Sequence, residues 1–345
     1  MKRLQINIEV TTATELCQIE FSETDKATKK STTHIKKQAV LATNSKGVES
    51  RVQIPIFSGN SFRAKLRRAA LKILMDKSIE KGFNVSNPTD FHLMNAGGGA
   101  FQRQPYDIED QVRELNPIIS VFGTSLAVEG KIKTPNLIPY KYIDADAGEK
   151  EYYLGENKET GMLYSTIEFD DSFYKKDDML DRSGNAKYLP KEMLVEWQQA
   201  VEENQTRVAK SRENDDGDKV KRESIRSALL RRYVIRGTHF YTGLSEMPTS
   251  QMNEIERGML YRALEIVVLE NLGSNVARDF GKMEYEITFH DGGTLSTKVD
   301  AHLRSTLETN YGEEVKQCIK AFDTWLEKTF DEATFNVSNI MKEGK

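Results

Sequence analysis

Residues 54–77, IPIFSGNSFRAKLRRAALKILMDK, carry the clearest helix signal in the chain. Ser58 or Asn60 is a suitable cap for the start of this helix. Beyond the start, apolar side chains recur at the spacing of one helix face: Phe62, Leu66, Ala69, Ala70 and Ile73. The other side carries basic residues: Arg63, Lys65, Arg67, Arg68 and Lys72. The sequence therefore predicts an amphipathic helix with a basic outer side.

The charge of this helix extends a basic segment that begins well before it. Residues 26–75 contain twelve basic residues and one acid, Glu49, for a net charge of +11. The 345-residue chain has a net charge of −4, so the residues outside that segment carry −15. Such segregation is typical of a protein with one surface for a polyanion. A solvated, lysine-rich loop is the alternative interpretation.

The start of the predicted helix combines features that favour phosphate binding. Gly59 allows close approach of a phosphate or a backbone, and Asn60 and Ser61 are suitable caps. The amide groups of the first turn face any anion, and the helix dipole adds to the attraction. Arg63 and Arg67 are four residues apart, so both guanidiniums can fork onto successive phosphates. The alternative is a surface helix whose arginines cover neighbouring apolar surface.

Strands and helices alternate without a regular order, which indicates an α+β protein. Residues 2–10 alternate like a half-buried strand, and helices are predicted at 250–272 and at about 311–330. The HDGG sequence ending at Gly293 predicts a hairpin turn.

Two segments are predicted to be loops. Residues 23–51 have no sustained period and are interpreted as a basic loop insertion that orders on binding. Residues 82–111 are interpreted as a glycine-rich loop. Its Gly97, Gly98 and Gly99 form either a phosphate-hugging loop or a flexible turn.

Several classes of function find no support in the sequence. It contains neither G-x-x-x-x-G-K-[ST] nor G-x-G-x-x-G, and its five histidines lack metal-ligand spacing. Cys17 and Cys318 lie too far apart in sequence to form a cysteine-rich zinc module, and their number fits a reducing cytoplasm. No apolar run approaches membrane-spanning length, and the start MKRLQINIEV lacks the apolar region of a secretory signal. We therefore expect a cytoplasmic protein with no catalytic residue, metal, cofactor or membrane contact.

Four segments resemble signatures of one protein family. The string IPIFSGNSFRAKLRR at 54–68 resembles the I-P-G-S-S-L-[KR]-G-x-[LIM]-R motif of the RAMP superfamily of CRISPR proteins. Three later segments resemble further signatures in the family's order: NPIISVFGTSLAVEGKIK at 116–133, VIRGTHFYTGL at 234–244 and LGSNVARDFGKMEYEI at 272–287. Size and plan look closest to the Cas-seven type backbone subunit of type IV effector complexes. Two residues depart from the pattern, since Ala64 and Asp279 stand where the family usually has glycine.

The resemblance implies a single α+β domain over 1–345. Its core would be RNA-recognition-motif-like (βαββαβ, ferredoxin-like), with thumb and finger insertions within 143–232. It implies an antiviral ribonucleoprotein whose copies stack head to tail along a guide RNA (crRNA), with other CRISPR effector subunits and a target nucleic acid as further partners.

We expect the RNA-binding residues to lie in the basic segment, the helix, the glycine-rich loop and the late segment 272–287. They are Lys29, Lys30, Lys36, Lys37, Gly59, Asn60, Ser61, Arg63, Lys65, Arg67, Arg68, Gly97, Gly98, Gly99 and Arg278.

Cleavage activity is not expected. Type III relatives cut target RNA with an aspartate in the loop before the helix motif, and residues 26–58 contain no aspartate. Two alternatives stay open. One is a RAMP endoribonuclease that acts on guide precursor or target RNA through Asp25 or His34. The other is a scaffold whose acidic surface contacts basic partners.

Overall fold

The computed structural model describes most of the chain outside the acidic middle region. The described residues are 2–24, 31–44, 47–83, 85, 87–98, 101–124, 127–139, 141–144, 150–153, 167–174, 195, 226–274 and 276–341. For residues 21–24, 31–33, 141–144, 150–153, 167–174, 226–232 and 278 it describes the backbone alone. The chain divides into two compact units, residues 1–20, 35–167 and 233–345 in the first and 21–34 and 168–232 in the second. The single domain over 1–345 stays a prediction, and the insertions expected within 143–232 overlap the second unit.

Fifteen strands and six α-helices lie within the described residues. The strands are β1 (Gln5–Thr12), β2 (Ile19–Thr24), β3 (Ser31–Ile35), β4 (Lys37–Asn44), β5 (Glu49–Pro55), β6 (Ile132–Lys133), β7 (Ile138–Pro139), β8 (Lys141–Asp144), β9 (Lys150–Tyr153), β10 (Ile167–Tyr174), β11 (Arg226–Tyr233), β12 (His239–Glu246), β13 (Met283–Phe289), β14 (Gly293–Val299) and β15 (Ser305–Tyr311). The helices are α1 (Gly59–Lys81), α2 (Pro88–Ala96), α3 (Tyr106–Leu115), α4 (Pro117–Phe122), α5 (Glu254–Val267) and α6 (Glu313–Lys328). The α+β class predicted from sequence is confirmed.

The first unit is built on a seven-stranded sheet. Its strand order is β15-β14-β13-β1-β12-β6, and β7 also pairs with β12. Strand β1 lies at the centre, antiparallel to both β12 and β13. Helix α1 precedes β6 and β7 in the chain, and α5 connects β12 to β13. A second sheet of this unit has the order β5-β4-β9-β8. The second unit contains the sheet β10-β11-β3-β2, in which β11 runs parallel to β3.

One face of the seven-stranded sheet forms the core with the helices. Residues alternate along β1, so that Ile6, Ile8 and Val10 are buried while the residues between them are exposed or half-buried. Tyr261 on α5 contacts Phe289 on β13 edge to face, with ring centroids 5.1 Å apart. Because every second strand residue faces the helices, the two-residue period of the sequence predicts this layer correctly.

Helix α5 is fixed by charged groups at its buried end. Its capping box joins Asn253 and Glu256, each side chain accepting the other's backbone N–H at 2.9 and 2.8 Å. The next residue, Arg257, donates to Glu246 at 2.8 Å and to Asp291 at 2.9 Å, and all three side chains are buried. These ion pairs tie α5 to the end of β12 and to the turn between β13 and β14.

The predicted hairpin and the two late helices are confirmed. Strands β13 and β14 pair antiparallel across the turn, where Gly292 and Gly293 both have φ near +101°. Helices α5 and α6 lie inside the predicted ranges 250–272 and 311–330. None of the helices within the described residues is long and apolar enough to cross a membrane.

The two predicted loops are wrong over their described parts. Residues 23–51 contain β3, β4 and the start of β5, and β4 pairs with β5 from Lys37 to Thr43. Most β4 side chains are half-buried, so the strand lacks the clear polar–apolar alternation on which the prediction depends. Residues 82–111 contain α2 and the first half of α3, with Asn87 capping α2. Most of the predicted thumb and finger region, 143–232, lies outside the described residues.

Candidate nucleic-acid interface

The amino end of α1 presents unpaired backbone donors. Ser58 is the N-cap residue in an extended conformation, but its side chain makes no capping hydrogen bond. The first turn contains no acidic residue. Within the described part of the chain, no acceptor meets the N–H groups of Asn60 and Ser61. No acidic side chain of the first turn therefore neutralises the positive end of the helix dipole.

Gly59 is required for packing of the protein backbone. A Cβ atom at this position would lie 2.0 Å from the carbonyl oxygen of Thr134 and 2.5 Å from that of Pro135. The Gly59 N–H donates to Oδ1 of Asn136 at 2.9 Å. The sequence allows either a phosphate or a protein backbone to approach Gly59. In the structure, the backbone of Thr134 and Pro135 lies there.

Gln18 connects the start of α1 to Lys36, the residue before β4. Its Oε1 accepts the N–H of Ser58 at 2.6 Å, and its Nε2 donates to Oγ of Ser61 at 2.8 Å. Its backbone oxygen accepts the N–H of Lys36 at 2.9 Å. The sequence prediction misses Gln18, because a glutamine that contacts residues forty positions away leaves no local signal.

Lys36 and Lys37 lie beside the helix start. The N–H of Ile56 donates to the carbonyl oxygen of Lys36 at 3.0 Å, two residues before the N-cap. Lys37 pairs with Pro55 in the β4–β5 register. Both lysines are half-exposed. The predicted Lys29 and Lys30 lie outside the described residues.

The late loop, residues 270–282, lies against the segment that ends in Gln18. The N–H and hydroxyl of Ser274 both donate to the carbonyl oxygen of Cys17, at 2.7 and 3.0 Å. The hydroxyl of Thr14 donates to the carbonyl oxygen of Asp279 at 2.6 Å. Asp279 has φ +58°, the left-handed region that favours glycine. For Arg278 the structure describes only the backbone, in a short 3₁₀ helix.

Two basic side chains follow the helix start along α1. Nζ of Lys65 lies 3.0 Å from Oε2 of Glu270, which borders the late loop. Arg68 is exposed and makes no ion pair within the described ranges. Arg68 therefore carries a positive charge that no described acid balances, whereas the charge of Lys65 is balanced by Glu270.

Arg63 and Arg67 point into the protein, which differs from the predicted fork onto phosphates. Arg63 donates to the carbonyl oxygens of Phe122 and Ile132. Arg67 is 6% exposed and donates to the carbonyl oxygens of Leu93 and Gly123. Burial, followed by the positive charge of Arg63, lowers the pKa of Arg67 to about 10. The difference arises because α1 packs against α2 and α4 as well as α5, so its basic side is partly interior.

Gly97 and Gly98 also face protein atoms. Gly97 ends α2 with φ +68°, and a Cβ atom there would lie 1.8 Å from Nη1 of Arg67. A Cβ atom at Gly98 would lie 2.8 Å from Nε2 of His92. Gly97 therefore makes room for a buried guanidinium, and Gly99 lies outside the described residues. The observed role of Gly97 differs from both interpretations of the triple glycine.

The structure thus divides the predicted residues into two groups. Lys36, Lys37, Asn60, Ser61 and Arg68 border the amino end or the outer side of α1. The second group packs against protein backbone or side chains and comprises Gly59, Arg63, Arg67, Gly97 and Gly98. Lys65 belongs to neither group, because it pairs with Glu270. Among the described residues, no cluster of three histidine, cysteine, aspartate or glutamate side chains is placed to hold a metal ion.

Comparison with known proteins finds similarity at the level of structure. No family model matches the sequence, and no curated protein matches it. A chain in the solved structure of a "Type IV-B CRISPR Complex" is similar to this one, with a TM-score of 0.46 and 13% sequence identity. The similarity covers 82% of this chain and 90% of that chain.

Proposed function

We propose that this protein is a non-catalytic RNA-binding backbone subunit of a CRISPR ribonucleoprotein. It binds the guide RNA, copies of itself stack along that RNA, and other effector subunits complete the complex. The single observation that carries the proposal is the convergence of three elements on the segment Thr14–Gln18. These elements are the unneutralised amino end of α1, the basic start of β4 and the late loop.

The chemistry of this convergence suits an RNA backbone. Amide donors and lysine side chains attract phosphate oxygens without reading a base. Asn60 and Ser61 supply donors, and Lys36, Lys37 and Arg68 supply charge. Binding is therefore weakly dependent on base sequence and strongly dependent on salt.

The order of the core elements supports an RNA-recognition-motif-like domain. Along the chain, β1, α1, the β6–β7 region, β12, α5 and β13 follow the pattern βαββαβ. In the sheet, β13, β1, β12 and β6 are neighbours in that order. The first strand of the βαββαβ pattern, β1, therefore lies between the fourth, β13, and the third, β12. The conformation of Asp279 supports the family motif too, because it retains the left-handed backbone of the expected glycine.

The test is purification of the full chain from cells at low salt, followed by absorbance at 260 and 280 nm and a denaturing gel. We expect bound RNA of uniform or graded length that is released at high salt. A protein-only spectrum, together with no binding when single-stranded RNA is added at low salt, would contradict the proposal. Cleavage of RNA at regular steps that is lost in Asp25→Ala would instead favour the endoribonuclease.

A further inference from the structure

Ser61 is placed to act as a hydrogen-bond donor toward an anion. Its Oγ already accepts a hydrogen bond from Nε2 of Gln18 at 2.8 Å. A serine hydroxyl has one hydrogen to donate, and no acceptor for it lies within the described residues. Ser61 is half-buried in the first turn of α1, where its N–H also has no acceptor in the described part of the chain.

Gln18 orients this serine and fixes the helix start with the same amide group. Oε1 accepts the Ser58 N–H at 2.6 Å while Nε2 faces Ser61, so rotation of the amide would break two hydrogen bonds. The Gln18 backbone also accepts the Lys36 N–H, which sets a lysine beside the same turn. One residue therefore contacts a hydroxyl donor, the first turn of the helix and the backbone of a lysine.

We propose that Gln18 is a positioning residue that makes the Ser61 hydroxyl a donor to an RNA phosphate. The inference rests on the proposed function and goes further by assigning a specific donor and the residue that orients it. Gln18 does not contact the phosphate; it acts through Ser61. Loss of either side chain therefore removes the same interaction.

A double-mutant cycle on the full chain tests this coupling. The probe is a 5′-fluorescein single-stranded RNA of mixed sequence, titrated at constant low salt with the wild type, Gln18→Ala, Ser61→Ala and the double variant. We expect each single variant to lose about tenfold in affinity, since hydrogen bonds to charged groups contribute at this level. The double variant should lose about tenfold as well, because residues acting through one contact are not additive.

Two further variants separate orientation from general structure. Ser61→Thr retains a hydroxyl and should bind RNA within about twofold of the wild type. Gln38→Ala breaks a neighbouring hydrogen bond to Asn136 (2.7 Å) without touching Ser61, and should also bind like the wild type. If Gln18→Ala fails to fold, the comparison of Ser61→Ala with Ser61→Thr still decides whether the hydroxyl is a donor.

The outcomes distinguish this inference from the proposed function. Wild-type affinity in folded Gln18→Ala or in Ser61→Ala would overturn the inference while leaving RNA binding intact. A hundredfold loss in the double variant would overturn it too, because the two side chains would then act independently. Absence of RNA binding by the wild type would contradict the proposed function itself.

Discussion

Nζ of Lys65 lies 3.0 Å from Oε2 of Glu270, at the border between α1 and the late loop. The side chain of Glu270 is 48% exposed and that of Lys65 is 19% exposed. An ion pair with one partner this exposed contributes little to stability. Its main consequence is electrostatic: an acid neutralises a lysine on the helix that carries the candidate interface.

Glu270→Gln should therefore increase RNA affinity. Release of Lys65 adds about one phosphate contact, so we expect affinity to rise about threefold at low salt and the salt dependence to steepen by about 0.7 log units. Fluorescence anisotropy at several salt concentrations measures both. The control is Glu308→Gln, which removes the same charge from the exposed Lys298–Glu308 pair on β14 and β15. Equal effects from both variants would show that only net charge matters.

Arg67 and Arg68 are neighbours in sequence with opposite expected roles. Arg67→Ala leaves the buried carbonyl oxygen of Gly123 without its donor, and that of Leu93 keeps only the Gly97 N–H, so the free energy of unfolding should fall by about 2–4 kcal/mol. Arg68→Ala, on the exposed side, should leave stability unchanged and weaken RNA binding about threefold. Denaturant unfolding and RNA titration of both variants check this. A stable Arg67→Ala protein that no longer binds RNA would instead indicate that Arg67 contacts the RNA.

Removal of Arg257 should strongly destabilise the first unit. Arg257→Ala leaves Glu246 and Asp291 as buried carboxylates without their cation, which should cost about 3–5 kcal/mol. Tyr261→Phe removes only the hydrogen bond from its hydroxyl to Asp291 (3.0 Å) and should cost about 1 kcal/mol. Chemical denaturation compares the two variants. Equal stability of Arg257→Ala and the wild type would contradict this assignment.

Cys318 should make stability fall at alkaline pH. Burial raises the pKa of its thiol to about 11, above the ordinary value of 9.0. Between these values the unfolded chain loses the proton while the folded chain keeps it, so stability decreases as pH rises. We expect Cys318→Ala to show a shallower decrease than the wild type between pH 9 and pH 10, measured by denaturant unfolding. Identical slopes would mean that the thiol ionises equally in both states.

The parts of the fold that the sequence predicts well are those set by local chemistry. The turn at Gly292 and Gly293 needs positive φ, and the residues on each side alternate, so the hairpin follows directly. The start of α1 is predicted within a residue or two because the residues suited to a helix cap, Ser58, Asn60 and Ser61, lie close together there.

The parts that the sequence predicts poorly depend on distant partners. The basic side of α1 gives no sign that Arg67 will meet the carbonyl oxygen of Gly123, because that contact is fixed by how α2 and α4 pack. Gln18 is missed for the same reason, since its partners Ser58 and Ser61 are about forty residues away. The sequence therefore indicates that a basic helix start exists, while the fold decides which of its side chains remain at the surface.

RNA-backbone binding by this protein is tested most directly by an equilibrium titration of the full chain with single-stranded RNA of two unrelated sequences across a series of salt concentrations. We predict nearly equal affinities for the two RNAs, and a logarithmic salt slope of about −2 to −4, corresponding to several phosphate contacts at about 0.7 each. A slope near zero, or no binding at the lowest salt concentration, would contradict RNA-backbone binding.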